Sequence, residues 1–155
     1  RGIKALWLDS VSGTVSFEPW NDSVKASTAD GSGPLTTSVV ESKGFSGVTH
    51  SAKAMFLVGV FVNKYIVSET TPETLDFSKY ENYTNWGPDL NQVFFIGDGK
   101  DSKTRQQQII LVPTDAEKLY LGFADGLHGL PSNYGDNSGS IKATVIWGAK
   151  PPSKN

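Results

Sequence analysis

The sequence predicts an all-β fold, a jelly-roll β-sandwich of two antiparallel sheets, and three observations predict it. Sixteen glycines and eight prolines in 155 residues mean many turns, and many turns imply many short strands. Apolar residues alternate with polar ones or fall in short runs, while helical periodicity is scarce. Clusters of Gly, Pro, Asn, Asp and Ser separate these runs at the spacing expected of sandwich strands.

The expected strands, in order, are Lys4–Leu8, Thr14–Phe17, Leu35–Glu41, Met55–Val62, Gln92–Ile96, Gln107–Val112, Lys118–Phe123 and Ser140–Trp147. Lys118–Phe123 and Ser140–Trp147 alternate polar with apolar, which suits strands with one face in the core and one in water. Met55–Val62 and Val93–Ile96 are nearly continuous apolar runs and read as central strands covered on both faces. Trp7 and Trp147 lie in strand patterns and are assigned to the core. A short helix is expected within Ser78–Trp86. The remaining stretches, Asn21–Pro34, Asn63–Asn91, Gly97–Thr104 and Gly126–Gly139, read as long loops, where binding surfaces usually sit on a rigid scaffold.

Composition bounds the function. One domain is the natural reading of this length, spanning residues 1–148 and followed by a linker-like tail at 149–155. A net charge of −2, with no like-charged run beyond two residues, supplies no drive toward nucleic acid or anionic membranes. No apolar run approaches the roughly 20 residues of a membrane-spanning helix. The absence of cysteine excludes disulfides, thiolate metal sites and cysteine nucleophiles. The start at Arg1 and the Pro-Pro-Ser tail suggest a module cut from a longer protein. It is expected to act as a monomer.

Two stretches carry a motif. Gln92-Val93-Phe94-Phe95-Ile96-Gly97-Asp98-Gly99 precedes Val112–Gly126, which ends Leu119-Tyr120-Leu121-Gly122-Phe123-Ala124-Asp125-Gly126. The second is Asn133-Tyr134-Gly135-Asp136-Asn137-Ser138-Gly139-Ser140, leading into Ile141–Val145. Read for chemistry alone, Asp125 ends one strand, while Asp136 and Asn137 begin the turn into another. If those strands are neighbours, their oxygens converge at one end of the sheet. Calcium takes about six to eight such ligands from carboxylates, amide and backbone carbonyls and water. The competing reading is turn chemistry, because Asp and Asn before Gly or Ser bond their own backbone.

The order strand, Asp, loop, Tyr-Gly-Asp-Asn-Ser-Gly-Ser, strand resembles the C-terminal half of the LecA-like, calcium-dependent galactose-binding lectins. It also resembles domains of secreted bacterial proteins of the PEP-CTERM type, and the similarity covers roughly residues 54–147. The resemblance implies a galactose-binding-domain-like jelly roll with a calcium ion bridging protein and sugar at one end. It implies Asp125, Asp136 and Asn137 as side-chain ligands and Asn133 as a backbone-carbonyl ligand, with Asp125 also meeting the sugar. Asp136 stands where the lectins have Asn, which adds a negative charge. The loop from Asp125 to Asn133 is longer than in the lectins and contains His128; no clear counterpart of their upstream histidine loop is present, though His50 is the nearest candidate.

Other candidates come from the residues themselves. Tyr80, Tyr83 and Trp86 recur every three residues in a polar segment and could form a stacking platform for a pyranose, or one helical turn packed on the sandwich. His50 and His128 are the only histidines and without cysteine make a weak zinc site. Gly97–Asp101 lacks the spacing of an EF-hand or a phosphate-binding loop and reads as a plain turn. No Gly-x-Ser-x-Gly elbow is present, and neither histidine suggests a triad. The expected function is therefore a non-catalytic, calcium-dependent carbohydrate-binding module, secreted or at the cell surface, with Asp125, His128, His50, Trp86 and Tyr83 as sugar contacts. A structural or adhesive sandwich with a structural calcium is the alternative, and a glycosidase ranks third.

Overall fold

The computed structural model describes residues 4–23, 25–64, 70–125 and 134–149, and these form an almost entirely β protein. Eleven strands and one short helix run in the order β1 (Ala5–Ser16), β2 (Asp30–Ser32), β3 (Thr37–Val39), β4 (Val48–His50), β5 (Ala54–Val62), β6 (Leu75–Asp76), α1 (Phe77–Tyr80), β7 (Asn85–Trp86), β8 (Val93–Phe95), β9 (Ile109–Leu111), β10 (Lys118–Phe123) and β11 (Ser138–Gly148). They assemble as three sheets: β11-β1-β9-β7; β5 with β10, β8 and β2; and β3-β4-β6.

β5 is the central strand, as its continuous apolar run predicts. It pairs antiparallel with β10 along 57–62, with β8 at 58–60 and with β2 at Phe56 and Ala54. Side chains alternate across a strand, so β5 divides its residues between two layers. Leu57 and Phe61 turn toward the β1 sheet, where Leu6, Leu8 and Ile110 complete a common core. Phe61 stacks on Phe94 at 5.3 Å. On the opposite face Phe56 meets Phe95, Phe77 and the His50 ring, so β4 and α1 cover that side. Each fully buried phenylalanine contributes about 1.5–3 kcal/mol by removal from water. Gly59 is the packing concession: a Cβ there would lie 2.8 Å from both Ile96 and Phe94.

Several sequence expectations need correction. Lys4–Leu8 and Thr14–Phe17 are not separate strands but the two ends of β1, held continuous by eleven paired residues of β11 across one register shift. The shift falls between Leu8 and Ser10 and accounts for the break in the alternation. β2, β4, β6 and β7 are two or three residues long and lie in stretches read as loops or strand flanks, because elements so short have no readable period. Helix α1 begins at Phe77, with the Asp76 carboxylate accepting the Ser78 N–H. Trp147 is 53% exposed: it lies near the end of β11 and meets Phe61 edge-on. Trp7 is half-buried between the buried Leu6 and Leu8.

Candidate metal and carbohydrate site

Asp125 is positioned by the end of β5. Met55 has a left-handed backbone (φ 60°), and its N–H reaches the Ala124 carbonyl at 2.7 Å. The Ala124 N–H in turn donates to Phe56 O at 3.0 Å. This two-point clasp fixes the chain just before Asp125, whose own N–H donates back to Phe123 O. Tyr134 approaches from the other motif, and its hydroxyl donates to the same Phe123 carbonyl at 3.0 Å. Asp136 and Asn137 follow at the entry to β11.

The two motifs therefore meet. Asn137 lies beside the Asp125 carboxyl, and Asp136 lies close enough for its charge to be felt there. Asp125 is only 6% exposed. Burial pushes its carboxyl above the ordinary carboxylate range; the Asn137 side chain opposes that rise and the Asp136 charge adds to it. Asp125 Oδ2 and Asn137 Oδ1 are both buried with no hydrogen-bond partner among the described residues. Each unsatisfied buried polar atom costs about 1–3 kcal/mol.

A desolvated carboxylate with one orphaned oxygen, an orphaned amide oxygen and a second acidic group nearby are donors of the kind a hard divalent cation takes, and they make up part of its coordination shell. Among the described residues no three His, Cys, Asp or Glu side chains converge, and this cluster is two carboxylates and an amide. Asn133 lies outside the described residues, as does His128, so the structure does not place either.

Beside the carboxylate lies a pocket of about 550 Å³. Phe17, Pro34, Leu35, Ala52 and Ala54 form its walls, with Thr36, Ser51 and Asp125 as its polar groups. These walls come from the end of β1, the segment before β3 and the turn between β4 and β5. Their one trace in the sequence is Phe17, an aromatic closing a strand pattern just before Glu18-Pro19. The others are scattered small or aliphatic residues with no signature.

The proposed sugar contacts fare differently. His50 precedes Ser51 and Ala52 but is itself only 4% exposed. Its Nδ1 accepts the Ala52 N–H at 3.1 Å and its Nε2 meets Glu81 Oε2 at 3.3 Å, which leaves no ring nitrogen for a ligand. Tyr83 donates its hydroxyl to Phe95 O at 2.8 Å, and burial pushes its phenol well up. Trp86 is half-buried against Tyr80 and Tyr83, with its Nε1 enclosed and without a partner among the described residues. Both rings are partly buried against the core, while Tyr80, the third aromatic of the segment, is 45% exposed. Only Tyr80 lies in the helix; Tyr83 follows it and Trp86 belongs to β7 beside β9, so the three rings do not share one helical turn.

The other polar clusters are structural. Asp30 accepts the Asp98 N–H, while Asp98 pairs with Arg105 at 2.6 Å and accepts the Lys100 N–H. That network closes the 97–105 turn, in keeping with its reading as a plain loop. Among the described residues, no helix is long and apolar enough to cross a membrane. No family model, no curated protein and no solved structure matches this chain.

Proposed function

We propose that the chain is a non-catalytic, calcium-dependent carbohydrate-binding module of a larger secreted or cell-surface protein, a LecA-like jelly roll in architecture. The observation that carries the proposal is the pair of buried oxygens on Asp125 and Asn137 that have no partner among the described residues. Asp125, Asp136 and Asn137 are the residues that would hold the ion. Calcium bound there supplies a hard divalent charge with coordination positions left for sugar hydroxyls or water.

The residues around it have separate tasks. Asp125 offers one carboxylate to both metal and sugar hydroxyl. Asn137 holds that carboxylate in place by its amide. Asp136 adds charge, which favours a dication over water at the site. The adjoining pocket supplies the apolar wall that carbohydrate sites pair with a few convergent polar groups.

A glycan array probed in millimolar calcium and again in excess chelator tests the proposal. Calcium-dependent retention of a saccharide supports it. Calcium binding with no retention of any glycan points instead to a structural calcium in an adhesive or spacer domain. Turnover of an oligosaccharide would overturn the non-catalytic assignment.

A further inference from the structure

The carbonyl of Phe123 is shared by the two motifs that meet at Asp125. It accepts the Asp125 N–H at 3.1 Å and the Tyr134 hydroxyl at 3.0 Å. Tyr134 thus ties the chain leading to Asp136 and Asn137 to a point two residues before the Asp125 carboxylate. The far end of that chain is fixed by β11, whose first residue, Ser138, pairs with Ser16 of β1. Asp136 and Asn137 therefore sit on a short turn pinned at both ends, by a strand ladder on one side and by one hydroxyl on the other. The Tyr134 ring is not fully seated: the residue is 43% exposed and lines a hollow of about 460 Å³ with Val58, Val60, Tyr120 and Gly122. Its hydroxyl is the specific tether. Burial pushes the phenol above its ordinary value, so the hydroxyl keeps the proton it donates.

Resting on the reading of this site as a calcium site, we propose that Tyr134 is its positioning residue: through its hydroxyl it holds the turn bearing Asp136 and Asn137 against Asp125 in the ion-free protein. It acts through those two side chains and not as a ligand. Oxygen donors already in place lose little freedom when they close on a cation, whereas a turn released at one end must be ordered at the moment of binding. One neutral hydrogen bond of this kind corresponds to about a three- to tenfold change in calcium affinity.

Tyr134→Phe keeps the ring and removes the tether. Tyr120→Phe, at a tyrosine of β10 that is 53% exposed, is the control. Calcium is titrated calorimetrically into the wild type and both variants, and each protein is melted in excess chelator. Tyr134→Phe should bind calcium about three- to tenfold more weakly. In chelator it should melt with the wild type, because the Phe123 carbonyl keeps the Asp125 N–H. Tyr120→Phe should match the wild type in both measurements. Wild-type calcium affinity in Tyr134→Phe overturns the inference and leaves the calcium reading standing; if its chelator melting temperature falls at the same time, the bond is structural only. An equal loss of affinity in Tyr120→Phe overturns it too, since the effect would not belong to the tether. No calcium binding by the wild type itself overturns the calcium reading and the inference with it.

Discussion

The Asp125 carboxyl and the Asn137 side chain meet where β10 ends and β11 begins, yet each retains one buried oxygen without a partner among the described residues. A folded chain tolerates that arrangement at a cost, and the cost is relieved when a cation enters. Melting in millimolar calcium and again in excess chelator measures the relief. At a hundredfold excess over the dissociation constant, one native-state site adds about 2.7 kcal/mol, which is a rise of about 5–10 °C for a chain of this size. No rise and no calorimetric heat would leave the constellation as turns.

Asp125→Asn separates the two roles of this carboxylate. The change preserves volume but removes the negative charge, so calcium and sugar binding should be lost together. In chelator the variant should melt at or above the wild-type temperature, because a buried charge facing Asp136 is gone. Collapse of the chelator-treated variant would show instead that Asp125 is a structural turn residue.

Glu81 is a partly buried acid-sensitive group of the layer that covers β5. Burial raises its carboxyl, but hydrogen bonds and charge from Lys53 (2.7 Å) and His50 (3.3 Å) outweigh burial and hold it below its ordinary value of 4.5. A depressed carboxylate contributes stability that is complete above the unfolded value and is lost as pH falls through the folded one. Denaturant midpoints should therefore decline from about pH 5 toward pH 3. Glu81→Gln should remove part of that slope and cost about 1–3 kcal/mol at neutral pH through its weakened bonds to both partners.

Tyr83→Phe tests the assignment of that ring to the core. Removing the hydroxyl strands the Phe95 carbonyl and should destabilise by about 1–2 kcal/mol, read by chemical denaturation. Saccharide affinity should not change. A loss of affinity without a loss of stability would return Tyr83 to the sugar site.

Gly13 and Gly139 let β1 and β11 approach closely where β11 starts. Both have left-handed backbones (φ 100° and 89°), and a Cβ on either would strike a carbonyl of the facing strand, Ser140 O or Thr14 O respectively. Gly139→Ala should cost about 1–3 kcal/mol from backbone conformation alone, with the clash adding to it. Because β11 begins next to Asn137, calcium affinity should fall as well. Thermal melts in chelator and calcium titrations report the two effects separately.

Much of the architecture was legible because its cause is local. The apolar run of β5 and the alternation of β11 were visible, since burial on one or both faces leaves a period in the residues themselves; in β10 the expected alternation breaks at Leu121, which is 46% exposed. Asp125, Asp136 and Asn137 were legible as a candidate site because they occur where strands begin and end. The fragments β2, β4, β6 and β7 were not, since two or three residues carry no period and pair only when β5, β3 or β9 is already in place.

Tertiary structure alone decided which polar and aromatic groups were free. His50 and Tyr83 look the same in sequence whether they face a ligand or the interior; the long-range bonds to Glu81 and Phe95 O turn them inward. Phe17, Leu35 and Ala52 become one wall only because three distant segments converge beside Asp125. The sequence by itself determined an all-β chain and the residues able to offer oxygen to a cation, because strand pattern and side-chain chemistry are properties of short stretches. Which oxygens were left without partners, and what surface lay beside them, was decided by packing, because satisfaction and burial depend on neighbours far away in the chain.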